Sequence, residues 1–307
     1  MTGSSNLAAS VRQRLLNRAR ERGEELQYLL MRYALERFLY RLGRSDHAER
    51  LVLKGAMLFA AWSDQPHRAT RDADFLAFGP SDAASMEQVL RDIALVVVDV
   101  PDGLVYQAGA IRIQEVGEDR RYTGLRASFD AELGEARIPV LLDFGFGDAV
   151  SPMRDKLEYP TLLDMPSPRI RAYPPEAVVA EKLEAMVSLG IANSRMKDFY
   201  DLSVMARTMS FRAGPLGAAI TATFATRNTR IDAVPFAFTD AFTRDSAKRS
   251  QWQAFVRRTR LADQARTLDD CVGDIEPFLG PMLEALAAGR DPDDLHWTAS
   301  GAWTTGE

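Results

Sequence analysis

The chain has 307 residues, with 38 Lys and Arg against 43 Asp and Glu, a net charge of −5 and a pI near 5.4. Hydrophobic residues make up 46% and charged residues 26%, which excludes a disordered chain, a disulfide scaffold and a collagen-like fibre. The negative total also argues against nucleic-acid binding through overall charge, while a local basic face stays open because steering depends on where charges sit.

At roughly 150 residues per domain, the length predicts about two domains. Cys271 stands alone, so neither an internal disulfide nor a multi-cysteine zinc site can form. His47, His67 and His296 lack metal-ligand spacing. The N-terminus has no secretory pattern, and no apolar run reaches the ~18 residues that a membrane span needs. The cytoplasm is the expected compartment, with no membrane partner.

Residues 8–42 read as two helices broken at Gly23. Leu26, Leu29, Leu30, Tyr33, Phe38, Leu39 and Leu42 recur at helical spacing in the second, and Gly43 is the expected cap. The first is rich in arginine, at 12, 14, 18, 20 and 22. Residues 1–50 hold ten Arg against six acids, a net of +4, which leaves −9 for the rest.

From residue 51 the pattern changes to a mixed unit of strands and helices with mostly neighbouring strands. Leu51–Leu53 is a short strand leading to Lys54-Gly55, and a helix starts over 56–62. A strand is predicted over 71–78 and a helix over 83–95. Further strands are predicted at 111–113, 125–129 and 138–143, with turn signals at Gly117, Gly124 and Gly134. A passage with Pro152, Pro160, Pro166, Pro168, Pro174 and Pro175 reads as a linker with short extended pieces. Helices follow to about 289, the firmest at 175–189 and 196–207, and the tail from 291 reads as loosely ordered. The expected divisions are N-terminal helices over 1–50, a core over 51–165, a helical domain over 166–290 and a tail over 291–307.

The chemistry concentrates at Arg71-Asp72-Ala73-Asp74. Alternation in a strand puts Asp72 and Asp74 on one face, where two carboxylates repel unless a cation lies between them. Magnesium takes oxygen ligands and pairs with substrate phosphates. The alternative is two solvated acids on an edge strand. Lys54 and Gly55, upstream at a strand-to-helix junction, offer a cation and an open backbone to phosphate. Asp143 ends another apolar strand and reads either as a third carboxylate of a two-metal site or as a turn former. Arg71 reads either as a phosphate contact or as an ion-pair partner of its acidic neighbours. Farther on, Asp198 and Asp201 share a helix face, and Lys197 sits four residues before Asp201, which also suits a plain helical ion pair. The same holds for Glu181 and Lys182. A basic island at 241–260 carries Arg244, Lys248, Arg249, Arg257, Arg258 and Arg260 against only Asp245, a net of +5. Phe242, Trp252 and Phe255 interleave it, which fits either a strand of RNA or a helix with one solvated basic side and one buried aromatic side.

Five motifs in order resemble the AbiEii/AbiGii toxin family, within the polymerase-β-like nucleotidyltransferase superfamily. They are Leu53-Lys54-Gly55-Ala56-Met57-Leu58, Arg68-Ala69-Thr70-Arg71-Asp72-Ala73-Asp74, Leu142-Asp143-Phe144-Gly145-Phe146-Gly147-Asp148, Val179-Ala180-Glu181-Lys182-Leu183-Glu184-Ala185 and Arg195-Met196-Lys197-Asp198-Phe199-Tyr200-Asp201-Leu202. The likeness spans about residues 50–207. Ala56 and Met57 depart from it, since the superfamily usually has a small residue and then Ser or Thr there.

The resemblance implies an α+β fold with a mixed-sheet core, N-terminal helices and a C-terminal helical domain. It implies a toxin that transfers a nucleoside monophosphate from an NTP to RNA, some relatives acting on the 3′ end of tRNA to stop translation. Asp72, Asp74 and Asp143 would hold Mg²⁺ or Mn²⁺. Lys54, Gly55, Arg71, Lys182 and Lys197 would meet the nucleotide, with Asp198 or Asp201 orienting it. Beyond the likeness, the basic island offers Arg244, Lys248, Arg249, Trp252, Arg257 and Arg258 to that RNA, and a cognate antitoxin from an adjacent gene would restrain the enzyme. A small-molecule or protein acceptor, or a non-catalytic RNA-binding relative, are the competing expectations.

Overall fold

The computed structural model describes residues 2–63, 68, 70–119, 122–147, 156–259, 266–292, 294–299 and 301–305. Ala69 and Asp148 of the motifs, with His67 and Arg260, lie outside them. The fold is α+β and divides into two compact units, Met1–Gly147 with Arg154–Tyr173, and Asp148–Met153 with Pro174–Glu307.

In the first unit, Gly23 turns the chain at φ +65° between α1 (Thr2–Arg22) and α2 (Leu26–Arg44). Gly43 does not end α2 as expected. The helix runs on to Arg44, and a β-carbon on Gly43 would lie 2.5 Å from the Arg169 carbonyl oxygen. Glycine is there for close backbone approach, not for termination. Along α2, Phe38 rests on Tyr106 and Phe129, each with ring centroids 5.8 Å away. The helix also buries charge. Arg41 makes two hydrogen bonds to Asp102, at 2.6 and 3.1 Å, and Glu36 accepts one from the Leu162 amide at 2.7 Å. Burial pushes the Glu36 carboxyl up to about 7.

The chain continues through β1 (Leu51–Lys54), a 3₁₀ turn at Gly55–Leu58, α3 (Phe59–Trp62), β2 (Ala73–Ala77) and α4 (Ala83–Ala94), which Asp82 caps by accepting from the Ser85 amide. Next come β3 (Leu104–Tyr106), β4 (Arg112–Asp119), β5 (Tyr122–Leu133) and β6 (Ala136–Phe146). These six strands form one mixed sheet in the order β1-β2-β6-β5-β3, with β4 also on β5. β2 and β6 run parallel, and the other pairs run antiparallel. The register fixes two faces. Leu53, Phe75, Phe144 and Leu125 align across four strands on the buried face, where Phe75 stacks on Phe144 at 5.6 Å. The described part of the proline-rich passage supplies the two-residue strands β7 (Leu157–Glu158) and β8 (Arg169–Ile170), which pair with each other.

The second unit begins with α5 (Pro175–Leu189) and α6 (Met196–Thr208), then β9 (Phe211–Arg212) and α7 (Ala213–Thr226). It continues through α8 (Asp240–Thr243), α9 (Ser246–Thr259) and α10 (Leu268–Ala287). Thr267 and Asp270 form a capping box that starts α10. Cys271 on α10 is buried, and burial pushes its thiol up to about 11. The tail differs from its expected loose order, because β10 (Leu295–Thr298) and β11 (Ala302–Thr305) form a hairpin that β9 extends. Its two tryptophans supply the reason. Trp297 is buried and donates to the Ala206 carbonyl at 2.7 Å, and Trp303 donates to the Phe278 carbonyl at 2.9 Å. A buried Trp whose N–H finds a partner brings a large apolar area at no polar cost. No described helix is long and apolar enough to cross a membrane.

Candidate active site

On the solvent-side face of the sheet, one row of register partners is charged. Lys54 of β1 stands opposite Asp74 of β2, Asp74 beside Asp143 of β6, and Asp143 opposite Arg126 of β5. The order across the sheet is plus, minus, minus, plus. The parallel pairing of β2 and β6 sets the two carboxylates side by side, although 69 positions separate them in the chain.

Gly55 opens this row on one side. Its φ is +75°, and a β-carbon there would lie 2.1 Å from Oδ2 of Asp74. Only a residue without a β-carbon lets the carboxylate lie against the backbone. Lys54 reaches over the sheet, because a β-carbon on Gly145 would be 3.5 Å from its Nζ. The same ammonium lies 5.6 Å from the centre of the Tyr173 ring.

Asp72 lies one residue before β2, not within it as expected, and its Oδ1 accepts from the Thr70 hydroxyl at 2.8 Å. Arg71 is exposed and makes no ion pair among the described residues, so it is not the structural partner of its acidic neighbours. Asp143 is held by Arg126 through two hydrogen bonds, from Nε at 2.7 Å and from an NH₂ group at 2.6 Å.

The donor chemistry fits a divalent cation, since carboxylate oxygens are the ligands that magnesium and manganese prefer. Asp74 and Asp143 are placed for it as neighbours. Yet among the described residues no group of three or more acidic, His or Cys side chains converges as a ligand set. The physical reason lies in the counter-charges, since both oxygens of Asp143 face Arg126 and Asp72 faces Thr70. Arg126 therefore competes with a cation for the Asp143 oxygens.

In the second unit, α5 and α6 build a different charged cluster. Lys182 Nζ lies 2.6 Å from Oδ1 of Asp198 and 2.8 Å from Oδ2 of Asp201. Arg195 Nε adds a contact to the other Asp198 oxygen at 3.0 Å. Both aspartates are almost wholly buried, at 1% and 0% exposure. This is no solvated helical pair. The i, i+4 pairing of Lys197 with Asp201 does not form, because α6 turns Asp201 inward to Lys182 and leaves Lys197 exposed. Glu181 likewise faces Arg227, at 3.2 Å, and not its neighbour Lys182.

The basic island splits by face. Lys248 is buried and donates to the Asn193 carbonyl at 2.8 Å, while Trp252 is buried and donates to the Arg266 carbonyl at 2.9 Å. Both side chains turn away from the exposed basic side of α9. Arg244, Arg249, Arg257 and Arg258 are exposed, with Arg244 paired to Asp240 at 3.0 Å.

Residues 37–274 match the family of AbiEii nucleotidyl transferase toxins of type IV toxin–antitoxin systems. The chain belongs to that family. An AbiEii-family chain is a nucleotidyltransferase, and membership implies an NTP substrate, a divalent metal and an antitoxin partner. Two solved structures are similar to it. One is a candidate nucleotidyltransferase from H. pylori, at 14% identity and a TM-score of 0.47, covering 86% of this chain and 96% of that one. The other is JHP933 from Helicobacter pylori, at 13% identity and a TM-score of 0.46, covering 86% and 94%. No curated protein matches the chain.

Two residues of these charged clusters, one in each unit, escaped sequence reasoning. Arg126 had no signal of its own, because cross-strand partners are set by a register that the sequence does not print. Arg195 had one, its position three residues before Asp198 at the start of α6, where a cation and an acid share a face.

Proposed function

We propose that this chain is a Mg²⁺- or Mn²⁺-dependent toxin that transfers a nucleoside monophosphate from an NTP to the 3′ end of tRNA. Translation and growth then stop until a cognate antitoxin, encoded beside it, restrains the enzyme in the cytoplasm. The observation that carries the reading is the row of Lys54, Asp74 and Asp143 across β1, β2 and β6, with Gly55 left bare beside Asp74.

Asp72, Asp74 and Asp143 would hold the divalent ion, which when bound neutralises the triphosphate and polarises its phosphorus. Lys54 draws the phosphate oxygens toward the sheet. Arg71, exposed and outside any ion pair among the described residues, has its guanidinium available for a phosphate. The acceptor hydroxyl attacks the α-phosphorus, the new P–O bond forms as the bond to the bridging oxygen breaks, and pyrophosphate leaves. Asp143 serves the attacking hydroxyl. The family resemblance would assign Lys182, held by Asp198 and Asp201, to the nucleotide's phosphates. Such transfer is catalysed mainly by positioning and charge neutralisation.

Incubation with labelled NTPs, divalent metal and total tRNA tests this. Label in tRNA, lost in Asp72→Ala together with growth arrest while folding survives, is the expected result. Label only in a protein or a small molecule would transfer the activity to another acceptor. Asp72→Ala as toxic as its parent would remove Asp72 from the metal site.

A further inference from the structure

The second unit contains a cavity of about 310 Å³, at the small end for ligand pockets. Thr243, Arg249, Trp252, Val256, Arg257 and Leu268 line it. Positions 249, 252, 253, 256 and 257 fall on one face of α9, so the helix presents a single stripe to the cavity.

The walls are mainly apolar. Trp252 spends its indole N–H on the Arg266 carbonyl and offers only ring surface, beside the buried Leu268. The lining Arg266 is spent too, since its guanidinium donates to Asp274 at 2.5 Å. Five polar side chains of the lining are left unspent among the described residues: Arg249, Arg257, Gln253, Thr243 and the exposed carboxylate of Asp269. Arg249 and Arg257 are exposed and make no ion pair among the described residues. Thr243 is 3% exposed, and its buried Oγ1 has no hydrogen-bond partner among the described residues. A ligand atom that reached it would supply the missing partner.

A flat apolar body, one anionic group and a hydrogen-bonding edge together describe a nucleotide. We propose that this cavity takes one nucleotide of a single-stranded RNA, its base against Trp252 and Leu268 with an edge on the Thr243 hydroxyl, and its phosphates on Arg249 and Arg257. The proposal rests on RNA as the acceptor and adds where the second unit grips it. The base is read within a cavity, not stacked on an exposed aromatic surface.

The test uses the full chain and a fluorescein-labelled 12-nucleotide single-stranded RNA, with binding read by anisotropy across a salt series. Val256→Trp, which fills the cavity, should weaken binding at least tenfold. The double change Arg249→Ala, Arg257→Ala should weaken it further and flatten the salt slope by about 1.4, the share of two phosphate contacts on a single strand. Thr243→Val keeps the volume and removes the hydroxyl, so it decides the matter if Val256→Trp fails to fold, and a several-fold loss is expected. Equal affinity in the parent and in a folded Val256→Trp, or in Thr243→Val, would overturn the cavity while RNA binding itself stands. A parent that binds no RNA at any salt would overturn the RNA reading and this inference with it. Free AMP displacing the strand at its own strand-equivalent concentration would assign the cavity to a free nucleotide instead.

Discussion

Gly55 presents its bare α-carbon to Asp74, so close that a β-carbon would lie 2.1 Å from Oδ2 and 2.9 Å from Cγ of the carboxylate. Gly55→Ala therefore meets two penalties, a side chain at φ +75° and a collision with the acid. We expect a loss of stability of about 1–3 kcal/mol and a drop in nucleotide transfer of at least a hundredfold. Urea melts and pyrophosphate release measure the two separately. Unchanged transfer in a folded Gly55→Ala would mean that the position of Asp74 does not matter to the chemistry.

The grip of Arg126 on Asp143 leads to a second expectation. Arg126→Ala removes the cation that competes for both carboxylate oxygens, so Mn²⁺ should bind the nucleotide-free protein more tightly. Calorimetry should show roughly a tenfold gain, equivalent to about 1.4 kcal/mol. Arg126→Lys, which cannot reproduce the two-pronged contact, should fall between. Affinity that does not move would show that Asp143 takes no part in holding the ion.

Lys182 separates two buried carboxylates, and removing it leaves them facing one another. Lys182→Met should cost about 3–5 kcal/mol, the range for an orphaned buried charge. Adding Asp201→Asn should restore part of that loss, because Asp198 keeps Arg195. A double-mutant cycle reads this coupling directly. A double variant as unstable as the sum of its parts would show that Lys182 and Asp201 are not energetically linked.

Glu36 should make stability depend on pH. Its carboxyl titrates near 7 in the fold, raised by burial from an ordinary 4.5. Between those values the folded chain keeps a proton that the unfolded chain has lost, so this group's contribution to stability grows as pH falls from about 7 toward 4.5. It is constant below that window and absent above it. Glu36→Gln keeps the shape without the titration, so its melting point should exceed the parent's at pH 8 and the difference should shrink toward pH 5.

Much of this is legible in the sequence. The chain break at Gly23, the strand leading to Lys54-Gly55 and the helices at 175–189 and 196–207 follow from periodicity and from residues that can do little else. The site was legible as motifs and not as geometry. Asp74 and Asp143 could be named, but the parallel pairing that makes them neighbours depends on a crossover that no local pattern encodes. Lys248 and Trp252 turn inward for a related reason. An amphipathic stripe shows that one side of α9 is buried, while the carbonyls of Asn193 and Arg266 that draw those two polar groups inward come from elsewhere in the fold. Gly43 and the tail show the limit from the other side. A glycine near a helix end looks like a cap, and a polar tail looks loose, until the backbone of Arg169 and the packing of Trp297 are known.

Cys271 is the chain's one thiol, and it is both shut away and held protonated at neutral pH. A maleimide or a spin label has nothing to react with while the fold is intact. The protein is thus ready-made for site-directed labelling, without first engineering out a native cysteine. A thiol installed on the rim at Gln253 would report alone, and its signal on adding RNA could be read without background.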